Sequence, residues 1–270
     1  MPRDADGLSP EDEAKSTAAL TRSGCCGPGA CSVNHKRNAA CATTLWRDGN
    51  APGTPDEIAR RRSLAKYRKR AAGYDRSCGP TWTIRQRTIA ALALQPGQRV
   101  LDVACGTGLS LALLRERVGD DGQVCGFDHS AEMLAQARER VAKAGWRNVM
   151  LFETPAQALA LPQAVDALLF HYTHDILRSH AALAGVLACA RPGARIAIAG
   201  IKYFPRWLAP LNAWVYWKNH GYNGAPGELR SPWDRIAPRL ADWRLEATQF
   251  GMGYIASGRL LTTAVPGSGR

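Results

Sequence analysis

The sequence predicts an α/β fold with a doubly wound, mostly parallel sheet, and three observations carry that expectation. From about residue 96 onward, short apolar runs of strand length alternate with helical patterns, the order that builds βαβ units. One run, Val100-Leu101-Asp102-Val103, passes through Ala104-Cys105-Gly106-Thr107-Gly108 into a helical pattern around Leu109 to Val118. A second run, Gln123-Val124-Cys125-Gly126-Phe127, ends on an acid, Asp128.

Taken in order, residues 1–55 are rich in Gly, Pro, Ala, Asp, Ser and Thr without a sustained period, and read as a largely disordered segment. Residues 56–95 read as a helical cap: Pro55-Asp56-Glu57 opens one helix, and Thr83 to Leu94 forms another, amphipathic, ended by Gln95-Pro96-Gly97. The core follows over 96–270. Gly119-Asp120-Asp121-Gly122 turns the chain into the second strand. Ser130 caps the next helix, Glu132 stands in its first turn, Met133, Leu134, Ala137 and Val141 form its buried face, and Gly145 ends it. Asn148 to Phe152 is a third strand, and Val165 to Phe170 a fourth whose continuous apolar run fits burial on both faces. Leu183 to Ala190 is helical, Arg191-Pro192-Gly193 a turn and Arg195 to Ile201 a fifth strand. Trp243 to Phe250 and Tyr254 to Ala264 read as a closing pair.

Composition bounds the class. Hydrophobic residues make up 46% of the 270, enough for one α/β domain with additions, and no apolar run reaches the length of a membrane span. The start carries Asp4, Asp6, Glu11, Asp12 and Glu13 and lacks a secretory pattern, so the expected compartment is the cytoplasm. The net charge of +12 admits an anionic partner or an Arg-rich surface. No nucleic-acid module is legible. Of the eight cysteines, Cys25, Cys26, Cys31 and Cys41 cluster with His35, but their spacing does not match a zinc site, and no metal is expected. The oligomeric state is not legible.

The glycine turn selects among cofactors. A dinucleotide fingerprint needs glycine at position 111, which is Leu, and a phosphate loop needs Gly-Lys-Ser/Thr, which is missing. Asp102, Gly106 and Gly108, with Asp128 at the tip of the second strand, instead place one acid under the turn and one where ribose hydroxyls can be accepted. The plainer alternative is a βαβ turn whose acids cap helices.

Leu101 to Gly108 resembles the first motif of class I S-adenosylmethionine-dependent methyltransferases, and Gly126 to Leu134 resembles their second. The nearest flavour is the small-molecule branch that includes the ubiquinone and menaquinone methyltransferases, and the resemblance runs over about residues 65–258. It implies a Rossmann-like, seven-stranded sheet with an antiparallel edge strand, an N-terminal helical lid, and S-adenosylmethionine as cofactor. The cofactor residues it implies are Asp102, Ala104, Gly106, Thr107, Gly108, Asp128, His129 and Met133. Tyr67 and Tyr74 match its Tyr-x₆-Tyr-Asp lid element. Thr154 stands where the family usually has an acid for the adenine amino group; either Glu153 or the backbone of Pro155 and Ala156 is the alternative.

The fourth strand runs into His171-Tyr172-Thr173-His174-Asp175 at the sheet edge where ligands bind. His171 and His174 are candidate bases, Asp175 could orient His174 or cap the helix starting near Ile176, and His171 also borders the cofactor. The segment at about 202–235 carries Lys202, Tyr203, Trp207, Trp214, Tyr216 and Trp217. With Tyr172, these are the expected acceptor-binding residues, since an aromatic lid suits an apolar small molecule. The same residues could lie on a membrane surface or pack a core. The expected activity is methyl transfer to a small, apolar or amphipathic acceptor. A lipid or quinone head group at a membrane is one alternative, and a non-catalytic cofactor-binding protein another.

Overall fold

The computed structural model describes residue 75 and residues 78–204, 208–219 and 229–261. The N-terminal segment with its cysteine cluster, most of the cap, Tyr67, Tyr74 and Trp207 lie outside the described residues.

Helix α1 (Trp82–Ala91) precedes β1 (Arg99–Val103), α2 (Leu111–Val118) and β2 (Gln123–Asp128). Then come α3 (Ala131–Ala144), β3 (Val149–Glu153) and β4 (Val165–His171). The chain closes with α4 (His174–Arg178), α5 (His180–Ala188), β5 (Ala190–Ile201), α6 (Ala209–Asn219), β6 (Leu240–Thr248) and β7 (Gly253–Leu260). The seven strands form one sheet in the order β3-β2-β1-β4-β5-β7-β6. Strands β1 to β5 pair in parallel, and the antiparallel pairing falls at the far side, where β7 inserts between β5 and β6. Strand order reverses between β1 and β4, so the carboxyl ends of these two strands open the crevice in which such sheets take ligands.

Alternation along each strand sorts the side chains. Leu101, Val103, Cys125, Phe127, Leu168, Phe170, Ile196 and Ile198 point to one face and pack with Leu183, Val186 and Leu187 of α5. Val100, Val124, Ala167, Leu169 and Ala197 point to the other and pack with Ile89, Leu111, Leu114, Leu134 and Ala137 of α1 to α3. Asp102, Asp128 and His171 share the parity of this second set, so all three side chains leave the sheet on the α1–α3 side. One residue past the pairs Val103–Phe127 and Val103–Phe170 stand Asp128, Ala104 and His171, in a row across the carboxyl edge.

Helix α3 ends as its sequence demands: the Ser130 side chain accepts from Met133 N–H, and Gly145 closes the helix with φ 65°. Elsewhere the element bounds differ from expectation. Helix α2 starts at Leu111, because Gly106 to Ser110 are used in the turn. Helix α4 starts at His174 rather than near Ile176, and α5 starts at His180 rather than Leu183. Arg191-Pro192-Gly193 lies inside β5, where a register shift between Val165 and Ala167 absorbs the extra residues as a bulge.

Candidate active site

The turn after β1 is held by the backbone and by one acid. Cys105 N–H donates to the Phe127 carbonyl at 2.8 Å, and Gly108 N–H to the Cys105 carbonyl at 2.9 Å. Gly106 and Gly108 have φ of 57° and 80°, the left-handed region that glycine enters without strain. Asp128 accepts Gly106 N–H on one oxygen at 2.9 Å and Ser130 N–H on the other at 2.8 Å. Burial pushes its carboxyl up, and these N–H groups pull it back. A carboxylate has about four lone-pair positions, so two remain for a ligand. Met133 is buried beneath the turn, with its Cε 3.4 Å from where a Cβ on Gly106 would lie.

Asp102 is buried, and its Oδ2 has no partner among the described residues. Burial pushes its carboxyl up to about 7; the Arg85 guanidinium opposes the rise and the Asp128 carboxylate adds to it. A carboxyl raised from 3.8 contributes its full stability only in acid and loses it as pH rises through 7. Asp102→Asn is therefore expected to stabilise the ligand-free protein at pH 8 by of order 2–4 kcal/mol. The gain vanishes near pH 4, and cofactor affinity falls about tenfold. Unchanged thermal unfolding at pH 8 would contradict this.

Asp75, the acid of the lid element, reaches the turn. It accepts from Thr107 Oγ1 at 2.6 Å and pairs with Arg140 at 2.6 Å, while Arg140 Nε donates to the Thr107 carbonyl at 3.1 Å. Asp75 is the final residue of the Tyr-x₆-Tyr-Asp element, and its partners on the turn are not visible in the motif. His129 has a buried Nε2 without a partner among the described residues. Thr154 N–H donates to the Asp128 carbonyl at 3.2 Å, and Pro155 leads into a single 3₁₀ turn, Ala156–Ala158, with Ala156 buried. Glu153 is half-exposed and pairs with Arg138 at 3.2 Å.

The two histidines part company. His171 stands at the end of β4 with a buried, unpartnered Nε2. Burial, then the Arg85 guanidinium, holds it well below the usual histidine range, so it is neutral. Tyr172 follows with φ 60°, its N–H on the Ala199 carbonyl at 2.8 Å, its ring edge-on to His171 at 4.8 Å, and its phenol pushed up to about 12 by burial. Ala104 and Tyr172, both non-glycine, thus take left-handed backbone at neighbouring strand ends, where such strain gathers at functional sites.

His174 is turned into the core. Its Nε2 accepts from Ile201 N–H at 3.2 Å, and its Cε1 lies 2.6 Å from where a Cβ on Gly200 would stand. A neutral imidazole has one acceptor nitrogen, and here the backbone already uses it. His174 is a core residue and not a base, which corrects the sequence expectation. Burial, with Arg178 adding, lowers it to about 4. The fold therefore holds this stability above the ordinary 6.5 and loses it as pH falls towards 4, by up to about 3 kcal/mol. His174→Gln keeps an acceptor and does not titrate, so chemical denaturation should show a smaller loss between these pH values. Asp175 is half-exposed in the first turn of α4, 3.9 Å from Arg178.

On the acceptor side, Lys202 and Tyr203 leave β5 half-buried, with their N–H groups on the carbonyls of Met252 and Leu229. Asn212 of α6 clamps Phe204 from both sides, accepting its N–H at 2.7 Å and donating to its carbonyl at 3.0 Å. Val215 is fully buried, while Leu211, Trp214, Tyr216 and Trp217 remain 44, 47, 46 and 72% exposed. Trp233 packs edge-on against the buried Tyr254 at 4.9 Å. One buried residue was missed altogether: Arg85 of α1, whose Nη1 donates to Ser110 Oγ at 2.5 Å. The available signal was its place in the stripe Ile84, Arg85, Thr88, Ile89. Among the described residues no cluster of His, Cys, Asp or Glu could hold a metal ion, and no helix is long and apolar enough to cross a membrane.

A parallel sheet with a glycine turn at its switch point and an acid on each of two adjacent strands defines a nucleotide-cofactor enzyme of the doubly wound class. A family described as "Methyltransferase domain" matches residues 100–193. The phosphatidylethanolamine N-methyltransferase of Cereibacter sphaeroides is 34% identical over 154 residues, 56% of this chain and 73% of the relative. The demethylmenaquinone methyltransferase of Shouchella clausii is 44% identical over 75 residues, 28% of this chain and 32% of the relative. A solved structure of an S-adenosylmethionine-dependent methyltransferase from Aquifex aeolicus superposes with a TM-score of 0.51 at 24% identity, over 66% of this chain and 89% of that one. The chain belongs to the class I S-adenosylmethionine-dependent methyltransferases. It spans about a third of the length of the demethylmenaquinone methyltransferases it matches.

The residues present fit S-adenosylmethionine, the cofactor of that family. Asp128 keeps acceptor positions that would take a diol, Asp102 has an unpartnered oxygen that would take an ammonium, and Gly106 exposes no Cβ at the turn.

Proposed function

We propose that this chain transfers the methyl group of S-adenosylmethionine to a small, apolar or amphipathic acceptor held at the carboxyl ends of β4 and β5. The observation that carries this reading is the makeup of that edge. A neutral, half-buried His171 and a half-buried Tyr172 stand beside the cofactor turn, and the aromatic helix α6 is fastened to the end of β5 through Asn212 and Phe204. When bound, the cofactor supplies an electrophilic methyl on a positively charged sulfur. Asp128 holds its sugar, Asp102 its ammonium, and the turn from Ala104 to Gly108 excludes water from its tail. The segment Thr154-Pro155-Ala156 borders its base.

His171 accepts a hydrogen bond from the acceptor. Its low proton affinity suits alignment better than proton storage. His171→Ala should lower kcat by about 10- to 100-fold and leave cofactor Kd within about threefold. His171→Gln should recover part of the rate if alignment is its work. No recovery would point instead to proton transfer.

A lipid or quinone head group is the acceptor favoured by the exposed stripe Leu211, Trp214 and Trp217, which carries the side chains an interface selects. The named relatives act on demethylmenaquinone and phosphatidylethanolamine. The test is mass analysis of a lipid extract and a water-soluble extract after incubation with enzyme and cofactor. Methyl gain confined to the lipid extract supports a membrane acceptor, and gain in the soluble extract a free one. Gain in neither rejects methyl transfer to small molecules. Liposome co-sedimentation of the Trp214→Ala, Trp217→Ala variant tests the surface separately.

A further inference from the structure

The last residues of β5 and β6, Ile201 and Thr248, flank the first residue of β7, Gly253, at the carboxyl edge of the sheet. Gly253 shares the parity of Ile255, which packs with Ile84 of α1 and Ala199 of β5, so this position faces the side of the sheet that carries His171. A Cβ on Gly253 would collide with Thr248 Oγ1 and stand 2.7 Å from Gln249 Oε1. The glycine thus lets two side-chain oxygens gather over bare backbone. Thr248 is only 7% exposed. Gln249 is also close enough to Tyr172 for its amide to weigh on the phenol. Yet Thr248 Oγ1, Gln249 Oε1 and the Tyr172 phenol oxygen are all buried without a hydrogen-bond partner among the described residues. A buried polar atom left unpaired is costly, so three from separate segments at one place call for a partner from outside the chain. Tyr172, Gln249 and Phe250 also take left-handed backbone, with φ of 60°, 48° and 56°, a strain that folds keep where it serves a site. Met252 N–H on the Gln249 carbonyl at 3.1 Å and Lys202 N–H on the Met252 carbonyl at 2.7 Å tie this turn to the end of β5.

We propose that Tyr172, Thr248 and Gln249 form the subsite that receives a hydroxyl group of the methyl acceptor. The proposal rests on methyl transfer to a small acceptor being the reaction. Gln249 Oε1 can only accept, so the partner must bring an O–H or N–H. Burial keeps the Tyr172 phenol neutral, and it and the Thr248 hydroxyl each donate as well as accept, so the partner must also offer a lone pair. A hydroxyl does both with one atom. The three side chains include no carboxylate, and the Arg85 guanidinium weighs on Tyr172, so an ammonium would find no counter-charge here. The His171 ring stands edge-on to Tyr172, which puts the subsite beside the residue that aligns the acceptor in that reading.

The test measures, by calorimetry, the binding of para-propylphenol, para-propylaniline and propylbenzene to the full chain saturated with S-adenosylhomocysteine, the demethylated cofactor. The wild type should bind the phenol about tenfold more tightly than propylbenzene, and more tightly than the aniline. Thr248→Val and Tyr172→Phe each remove a hydroxyl and keep the shape. Each should bring the preference to within about threefold and leave the affinities for propylbenzene and S-adenosylhomocysteine as they were. Thr248→Val loses a buried hydroxyl that the fold does not use, so its melting temperature should hold or rise, whereas a merely structural role would lower it.

A wild type that binds the phenol and propylbenzene alike, as when water alone satisfies the three oxygens, overturns the proposal. So does one that prefers the aniline, a pair of variants that keep the wild-type preference, or variants that lose all three compounds equally. A chain that takes up S-adenosylhomocysteine but none of the three compounds overturns the proposal alone. A chain that takes up no S-adenosylhomocysteine overturns the methyl-transfer reading, and the proposal with it.

Discussion

Asp128→Ala is expected to weaken S-adenosylmethionine binding by about 100-fold and to lower stability at the same time. The side chain holds two backbone N–H groups, of Gly106 and Ser130, and in the function proposed above it also receives the cofactor's sugar. Removing it leaves both N–H groups buried and unsatisfied, at about 1–3 kcal/mol each. For a domain of this size the melting temperature should fall by of order 10 °C. Asp128→Asn separates the two effects. Its oxygen can serve one N–H, but its amide then faces the other donor to donor, so part of the fold is recovered and little of the affinity. Calorimetric titration beside thermal unfolding checks both. Unchanged affinity would remove Asp128 from the cofactor site.

The second large effect is expected at a position that touches no ligand. An ideal Cβ on Gly185 would stand 2.5 Å from the Ala156 carbonyl oxygen and 3.0 Å from Gln157 Cα. Alanine in place of glycine inside a helix ordinarily gains about 1 kcal/mol. Here the collision is with backbone, which no rotamer change relieves, and overpacking of this kind costs about 1–3 kcal/mol. The collision wins. Gly185→Ala should shift α5 against the turn Ala156–Ala158, lower the melting temperature by a few degrees, and weaken cofactor binding about tenfold through the displaced turn. A variant that melts and binds as wild type would show that α5 slides freely over that turn.

Much of the cofactor half was legible in the sequence because its constraints are local. A turn that needs left-handed backbone at Gly106 and Gly108, and a strand that ends on Asp128, leave marks at fixed spacing. The antiparallel pairing at the far side of the sheet followed from the family resemblance, while the position of β7 between β5 and β6 needed the structure. What stayed hidden depends on contacts between distant elements. Arg85 looks like any polar-face residue until α1 is laid on β5, β7 and α2. Gly185 looks like a weak helix residue until Ala156 is found beneath it. The histidines could not be separated because the strand ends at His171 and a helix begins at His174, and that break decides which ring meets the crevice and which meets Tyr254. Asp75 closes the Tyr-x₆-Tyr-Asp motif, but its partner Thr107 lies far along the chain.

Alternation along the strands gives the sheet one face that carries its buried acids and another that is apolar. Residues of one parity carry Asp102, Asp128 and His171 towards α1 to α3, and their immediate neighbours carry apolar side chains towards α5. A substitution at Leu168 or Ile196 therefore acts first on packing, whereas one at Asp102 or Asp128 acts on packing and on the carboxyl edge at once. The carboxyl edge thus carries two burdens in the same side chains, so a change there moves stability and recognition together.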